Sequence, residues 1–200
     1  ILNDWMTFLS RGTVRTTTGV SDTHHELSDT GGYARTWAKV GTDSTMAFKP
    51  ADFAEAIRTQ HAFAGNGPII AFTAQKLDGM GMPVGPKVEM GDTLSISPGD
   101  SVELVVDVQG LEWMQINRVE LYSHAPGREA LAGATNSEWP EGRILQKRDL
   151  DPLVAPVEAV PGSASLRRLH LTERFVVQPT GDTWFVGMAR GTTGRSMRPL

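Results

Sequence analysis

Ser101-Val-Glu-Leu-Val-Val-Asp-Val-Gln109 decides the class of fold. Its apolar residues Val102, Leu104, Val106 and Val108 fall at every second position, and a strand sends alternate side chains to opposite faces. One face of this segment is therefore built for a core. Working outward, "NRVELYSH" (117–124), "LTERFVVQP" (171–179) and "DTWFVGMAR" (182–190) predict three more strands. "DTLSISPGD" (92–100) predicts a strand and a turn. Short strands separated by turn signals, each with one apolar face, predict a β-sandwich of immunoglobulin-like type. The Gly/Pro-rich run "DGMGMPVGP" (78–86) precedes them and marks a boundary, which places the sandwich domain at residues 80–200. Between Ala125 and about Arg167 the periodicity fades, and a long excursion or an extra hairpin is expected there.

Residues 1–79 have a different texture. Leu2, Trp5, Met6 and Leu9 follow helical spacing up to Gly12, a natural stop. The β-branched run Val14–Thr18 predicts a strand. A second helix is predicted over "KPADFAEAIRTQHAF" (49–63), with Pro50 in its first turn, Asp52 and Glu55 near its N-terminus, and Phe53, Ile57 and His61 on one face. Gly65 to Gly67 would end it, and "PIIAFTA" (68–74) predicts a buried strand. Alternating helix and strand is the cadence of an α/β barrel or layered sheet. The chain opens Ile1-Leu-Asn-Asp-Trp5, without an initiator methionine or a leader, which is the expectation for a fragment whose upstream part is missing.

Composition narrows the function classes. A net charge of −4, with scattered basic residues, gives no electrostatic reason to expect a nucleic acid partner. The absence of cysteine excludes disulfides, thiolate metal sites and a cysteine nucleophile. No apolar run approaches the roughly 20 residues of a membrane-spanning helix.

The chemistry-bearing stretch is Thr18-Gly-Val-Ser-Asp-Thr-His-His25, in which Asp22 and His24 stand two residues apart. In an extended strand both side chains would project to one side. A carboxylate and an imidazole together suit a divalent metal ion, and they equally suit a hydrogen-bonded pair in a turn. His25 is expected beside such a site rather than in it. Ser21 is no nucleophile of a triad, because triads assemble from distant segments. Arg35, one loop later, is a candidate for holding an anionic group of a substrate. His61 is expected to be structural, and His124 and His170 have no chemical company in the sequence.

"TGVSDTHHELSDTGGYARTWAKVG" followed by "AGNGPIIAF" resembles the C-terminal portion of the PHP-type (polymerase and histidinol phosphatase) metallohydrolases. More narrowly it resembles the subgroup with an appended β-sandwich, which includes carbaryl hydrolase-like enzymes. Asp22-Thr23-His24 matches the family's last metal motif. "GYARTW" resembles a subgroup segment in which Ala34 replaces the usual proline, and "WMQINRVELY" (113–122) fits the appended domain. The resemblance implies a fold: the C-terminal part of a distorted α/β barrel over residues 1–79, followed by the sandwich over 80–200. It implies Asp22 and His24 as metal ligands, Arg35 as a substrate-binding residue, and divalent metal ions (Zn, Mn or Fe) as cofactors. The implied substrate is a small-molecule phosphoester, ester or carbamate. The implied partner is the missing N-terminal part of the same protein, which would bring the remaining His and Glu ligands. The resemblance also leans toward an exported protein. The competing expectation is a non-catalytic β-sandwich that binds a glycan, a cell surface or another domain, with Trp113, Trp139 and Trp184 as an aromatic platform.

Overall fold

The computed structural model describes residues 2–25, 34–114, 116–124, 143–150, 157–163 and 165–191. Among them the chain is mostly antiparallel β-sheet, with two short helices near its start. Helix α1 is Leu2–Ser10 and α2 is Pro50–Arg58, with the short strands β1 (Arg35–Ala38) and β2 (Ala62–Gly65) on either side of α2. The two strands pair with each other, Trp37 opposite Phe63. Then follow β3 (Ile69–Leu77), β4 (Pro83–Glu89), β5 (Ser101–Leu111), β6 (Arg118–Ser123), β7 (Ile144–Asp149), β8 (Val157–Ala159), β9 (Arg167–Val177) and β10 (Phe185–Arg190).

One sheet has the order β4-β3-β5-β9-β8, and another the order β10-β6-β7. Their facing sides make the core. Strand β5 buries Val102, Leu104, Val106 and Val108, each at most 3% exposed, so the alternation read from the sequence falls inward as expected. Leu169, Leu171, Phe175 and Val177 of β9 join them, and β6 contributes Val119 and Leu121 from the opposing sheet. At Gly187 of β10 a Cβ would sit 3.0 Å from Val106 and 3.4 Å from Phe72, so the sheets approach closely there. Two antiparallel sheets packed face to face form a sandwich-like core.

The other face of the three-stranded sheet is also covered. Glu120 and Tyr122 of β6 point away from Val119 and Leu121, yet both are fully buried. Tyr122 donates its hydroxyl proton to Glu120 at 2.6 Å, and Arg190 reaches the same carboxylate with Nη2 at 2.7 Å and Nε at 3.1 Å. A buried carboxylate is tolerable only with this kind of company. Helix α1 docks onto the sandwich through Arg143, which is 3% exposed. Its guanidinium donates to Asn3 Oδ1, Thr7 Oγ1 and Ser10 Oγ at 3.0–3.2 Å, a stripe at helical spacing. Trp184 adds a bond from Nε1 to Ser10 Oγ at 3.3 Å. Arg143→Ala would strand these acceptors beneath the helix, and a loss of about 1–3 kcal/mol is expected. A urea midpoint shift between wild type and variant measures it.

Several sequence expectations are corrected. Val14–Thr18 forms no strand. Its neighbourhood is satisfied by other elements: Trp5 Nε1 donates to the Arg15 carbonyl at 2.7 Å, Thr16 Oγ1 donates to the Ile57 carbonyl, and Thr36 Oγ1 bonds both N and O of Gly19. The segment joins no ladder and is tied instead by side-chain-to-backbone bonds. Helix α2 stops at Arg58, short of His61. Gln60 adopts φ +62 and the His61 amide bonds back to the Ala56 carbonyl at 2.8 Å, so the chain reverses there and continues as β2. The helix buries Ala56, while Phe53 is 37% exposed. Residues 92–97 carry Leu94 and Ile96 against the core without pairing as a strand, and the turn closes by Ser97 N to Asp100 Oδ2 at 2.8 Å.

Strand β3 differs from the buried strand expected at 68–74. Ile69 is 49% exposed, and Ile70, Phe72 and Ala74 face the core. It pairs with β5 along its whole length, from Ile69↔Gln109 to Leu77↔Ser101. The division expected at 79/80 thus falls in the turn of the β3–β4 hairpin, and the five-stranded sheet takes strands from both sides of it. Ahead of β3 the described residues contain no parallel strand pair; the one ribbon there, β1–β2, is antiparallel. Most of the excursion from 125 to 167 lies outside the described residues; β7 and β8 fall within it, and they pair with β6 and β9 rather than with each other as a hairpin.

Candidate functional site

The loop that carries Asp22 and His24 is anchored at its stem. Thr36 of β1 grips the backbone of Gly19 from both directions, at 3.0 and 3.1 Å. A Cβ on Gly19 would come within 2.9 Å of the Arg35 carbonyl, so only glycine lets the stem lie this close to β1. Three residues on, Asp22 takes φ +51, a left-handed conformation that aspartate tolerates better than most residues. The strand geometry expected for Asp22 is therefore replaced by a left-handed residue in an irregular segment. Asp22 Oδ1 lies 3.1 Å from His24 Nε2. The two side chains are 82% and 72% exposed. Beside them Thr23 Oγ1 donates to Ser21 Oγ at 2.9 Å, and His25 is exposed.

Arg35 sits at the start of β1 next to this stem. Its guanidinium carbon lies 5.8 Å from the centroid of the Trp37 ring, which stacks on Phe63 across the ribbon at 6.4 Å. A cation over an aromatic face is held in orientation with its N–H groups still outward. Asp22 and His24 thus meet each other, and the Gly19 stem three residues before Asp22 lies against the backbone of Arg35 and the side chain of Thr36. Among the described residues no group of three or more His, Asp or Glu side chains converges as a full metal cage. The segment 26–33, including Tyr33 of the "GYARTW" match, lies outside the described residues. A hollow of about 490 Å³ opens nearby on α2, lined by Lys39, Lys49, Asp52, Glu55, Thr59 and His61. Of the predicted site residues, none lines it. His61 has a structural setting there, 3.3 Å from Asp92 and 3.1 Å from Thr59 Oγ1.

The three tryptophans proposed as a platform have separate fates. Trp184 is engaged with α1, Trp113 is 46% exposed, and Trp139 lies outside the described residues.

A second cluster was not foreseen. On the outer face of the five-stranded sheet, His170 of β9 has Nε2 at 2.8 Å from Asp107 Oδ2 of β5 and Nδ1 at 2.7 Å from Glu158 Oε1 of β8. Thr172 and Gln109 donate to Asp107, and Arg168 donates to Glu158 through Nε and Nη2. Asp107 first, then Glu158, raise the His170 pKa above its ordinary value, outweighing partial burial. Burial acts to raise Asp107, but the bonds from Gln109, Thr172 and His170 leave its carboxyl below the usual range. Arg168, then His170, lower Glu158. Polar residues on the exposed side of strands gave no warning, because which of them meet depends on register across three strands.

No protein-family model, curated protein or solved structure matches this chain.

Proposed function

We propose that this chain is the C-terminal part of a PHP-type metal-dependent hydrolase acting on phosphoesters or related esters and carbamates. The observation that carries the reading is the Asp22–His24 pair, an oxygen and a nitrogen donor held 3.1 Å apart and open to approach. Two neighbouring ligands on one ion, each about 2.0–2.2 Å from it, lie roughly 3 Å from each other. The donors present therefore suit two positions on a divalent ion, and further ligands would come from elsewhere in the parent protein. When bound, such an ion makes a nucleophilic hydroxide near neutral pH and stabilises charge on a phosphoryl or acyl oxygen. Asp22 and His24 hold and orient; the Gly19 stem and Thr36 fix where they stand. Arg35 presents N–H donors to the anionic or carbonyl part of a substrate.

Two further features support the wider assignment. Phe8, Val14, Val20, Phe48 and Phe53 are each at least 37% exposed around the first 53 residues, a density of apolar surface that suits packing against more protein. The strand order also follows the immunoglobulin pattern. With β3, β5, β9 and β8 as strands A, B, E and D, the second sheet supplies F, C and C′ as β10, β6 and β7. Strand β4 is then an added hairpin partner at the β3 edge.

The test is metal analysis and a phosphoesterase and esterase assay on the parent protein with its upstream sequence. Divalent metal and hydrolysis should appear together. Arg35→Ala should lower kcat/KM by about tenfold or more while metal content stays near normal, since a guanidinium orients an anion and does not coordinate a cation. Hydrolysis that persists after complete metal removal would overturn the reading.

A further inference from the structure

We propose that His170 is a pH-sensitive latch that fastens the edge strand β8 to the five-stranded sheet while protonated and loosens it above neutral pH. Both ring nitrogens face carboxylates, Asp107 at 2.8 Å on one side and Glu158 at 2.7 Å on the other. A carboxylate only accepts, so both contacts are good hydrogen bonds only when the ring carries two protons. A neutral ring keeps one N–H and turns a lone pair toward the other carboxylate. The geometry is thus built for the imidazolium.

The latch spans three strands, β5, β9 and β8, and β8 needs it. Among the described residues that strand spans Val157–Ala159 and pairs with β9 through Val157↔Leu169, Glu158↔Arg168 and Ala159↔Arg167, with Val160 N bonded to the Leu166 carbonyl beyond them. A strand this short at a sheet edge has little ladder to hold it. The charged and titratable groups around His170 are Asp107 on β5, Glu158 on β8 and Arg168 on β9, with Thr172 and Gln109 completing the bonds to Asp107. Farther along, Arg174 pairs with Glu103, and Arg167 approaches Glu112 at 3.9 Å. With His170 protonated, the two cations and two carboxylates of the inner group balance. With it neutral, one negative charge is left over beside Asp107 and Glu158.

The sign follows from the directions of the shifts. His170 is raised, so its contribution is complete below the ordinary histidine value near 6.5 and is lost as pH rises through the folded-state value. Asp107 and Glu158 are lowered, so theirs are present above the ordinary carboxylate range and are lost in acid. The latch is tightest between these limits. Arg168 remains on Glu158 at high pH, so β8 loosens without being released outright.

Hydrogen exchange on the intact chain tests this, comparing the amides that join β8 to β9 at pH 6 and pH 9 after correction for intrinsic exchange. Protection in wild type should fall several-fold at pH 9, while amides of the β3–β5 pairing change little. His170→Gln should show low protection at both values, and Glu158→Gln, which retains the histidine, should lose most of the pH dependence. His25→Gln, at an exposed histidine on another loop, should leave β8 protection and its pH dependence as in wild type. Protection of β8 that is equal at both pH values in wild type, or a pH dependence that survives in His170→Gln, would overturn the latch. If His170→Gln does not fold, the NMR titration of the His170 ring decides: a midpoint below the ordinary histidine value overturns it.

Discussion

Phe175→Ala is expected to destabilise the chain by about 3–5 kcal/mol, the largest loss from any single truncation of this core. Phe175 is 1% exposed on the inward face of β9, directly opposite Leu104 of β5, which is 2% exposed. The ring is among the largest side chains in the cluster between the sheets, and neighbours held in two paired strands have little freedom to close the hole. A domain typically has about 5–15 kcal/mol to lose, so the variant should be near its folding limit at physiological temperature. The adjacent residue supplies the control. Val176 points to the other side and is 53% exposed, so Val176→Ala should stay within roughly 0.5 kcal/mol of wild type. Urea unfolding of the pair reads out the strand register itself, because a one-residue slip would exchange the two outcomes.

The second large effect is on activity. In the parent protein, Asp22→Ala and His24→Ala should each reduce hydrolysis by more than the roughly 10–100-fold typical of losing a partner outside the ligand set. Metal content should fall with activity. The thermal midpoint should hardly move, because both side chains are exposed and neither holds the core. His25→Ala should be mild in both respects. A variant that loses activity only by unfolding would show both quantities falling together with the midpoint, and circular dichroism on the same samples separates the cases.

The contrast between the two predictions mirrors what could be read from the residues alone. Strand β5 was legible because its four inward residues alternate without interruption, so burial and sequence carry the same period. Helix α1 was legible from spacing and from Gly12, which takes φ +76 just past its end. Val14–Thr18 misled because β-branched residues favour extended backbone, which is necessary for a strand but not sufficient. Whether such a segment joins a ladder depends on a partner that local sequence does not specify. His61 misled for a related reason. Helical spacing continued past Arg58, while a left-handed Gln60 reversed the chain. Strand β3 lay on the far side of a Gly/Pro-rich run that looked like a boundary and is a hairpin turn.

At the candidate site, residue identity was legible and geometry was not. Asp22 and His24 stand out by spacing, but the left-handed φ of Asp22 does not, and the grip of Thr36 on Gly19 is a contact across 17 residues. His170 was passed over because Asp107 and Glu158 are 63 and 12 residues away from it in sequence. Nothing in the local sequence around Arg143 or Glu120 marks either as a buried charge. Their burial becomes visible only once α1 and β10 are in place.

The most direct measurement on the central claim uses the chain itself, isotope-labelled, with manganese(II) added stepwise while amide NMR signals are followed. Two ligands bind weakly, but a paramagnetic ion broadens nearby signals even at low occupancy. Early, selective broadening is expected at residues 21–25 and at Arg35 and Thr36, with signals from β5 and β9 unaffected at the same concentration. Asp22→Ala and His24→Ala should each abolish that pattern. Broadening that begins elsewhere, at the His170 cluster for example, or that persists at residues 21–25 in both variants, would contradict the assignment of Asp22 and His24 as metal ligands.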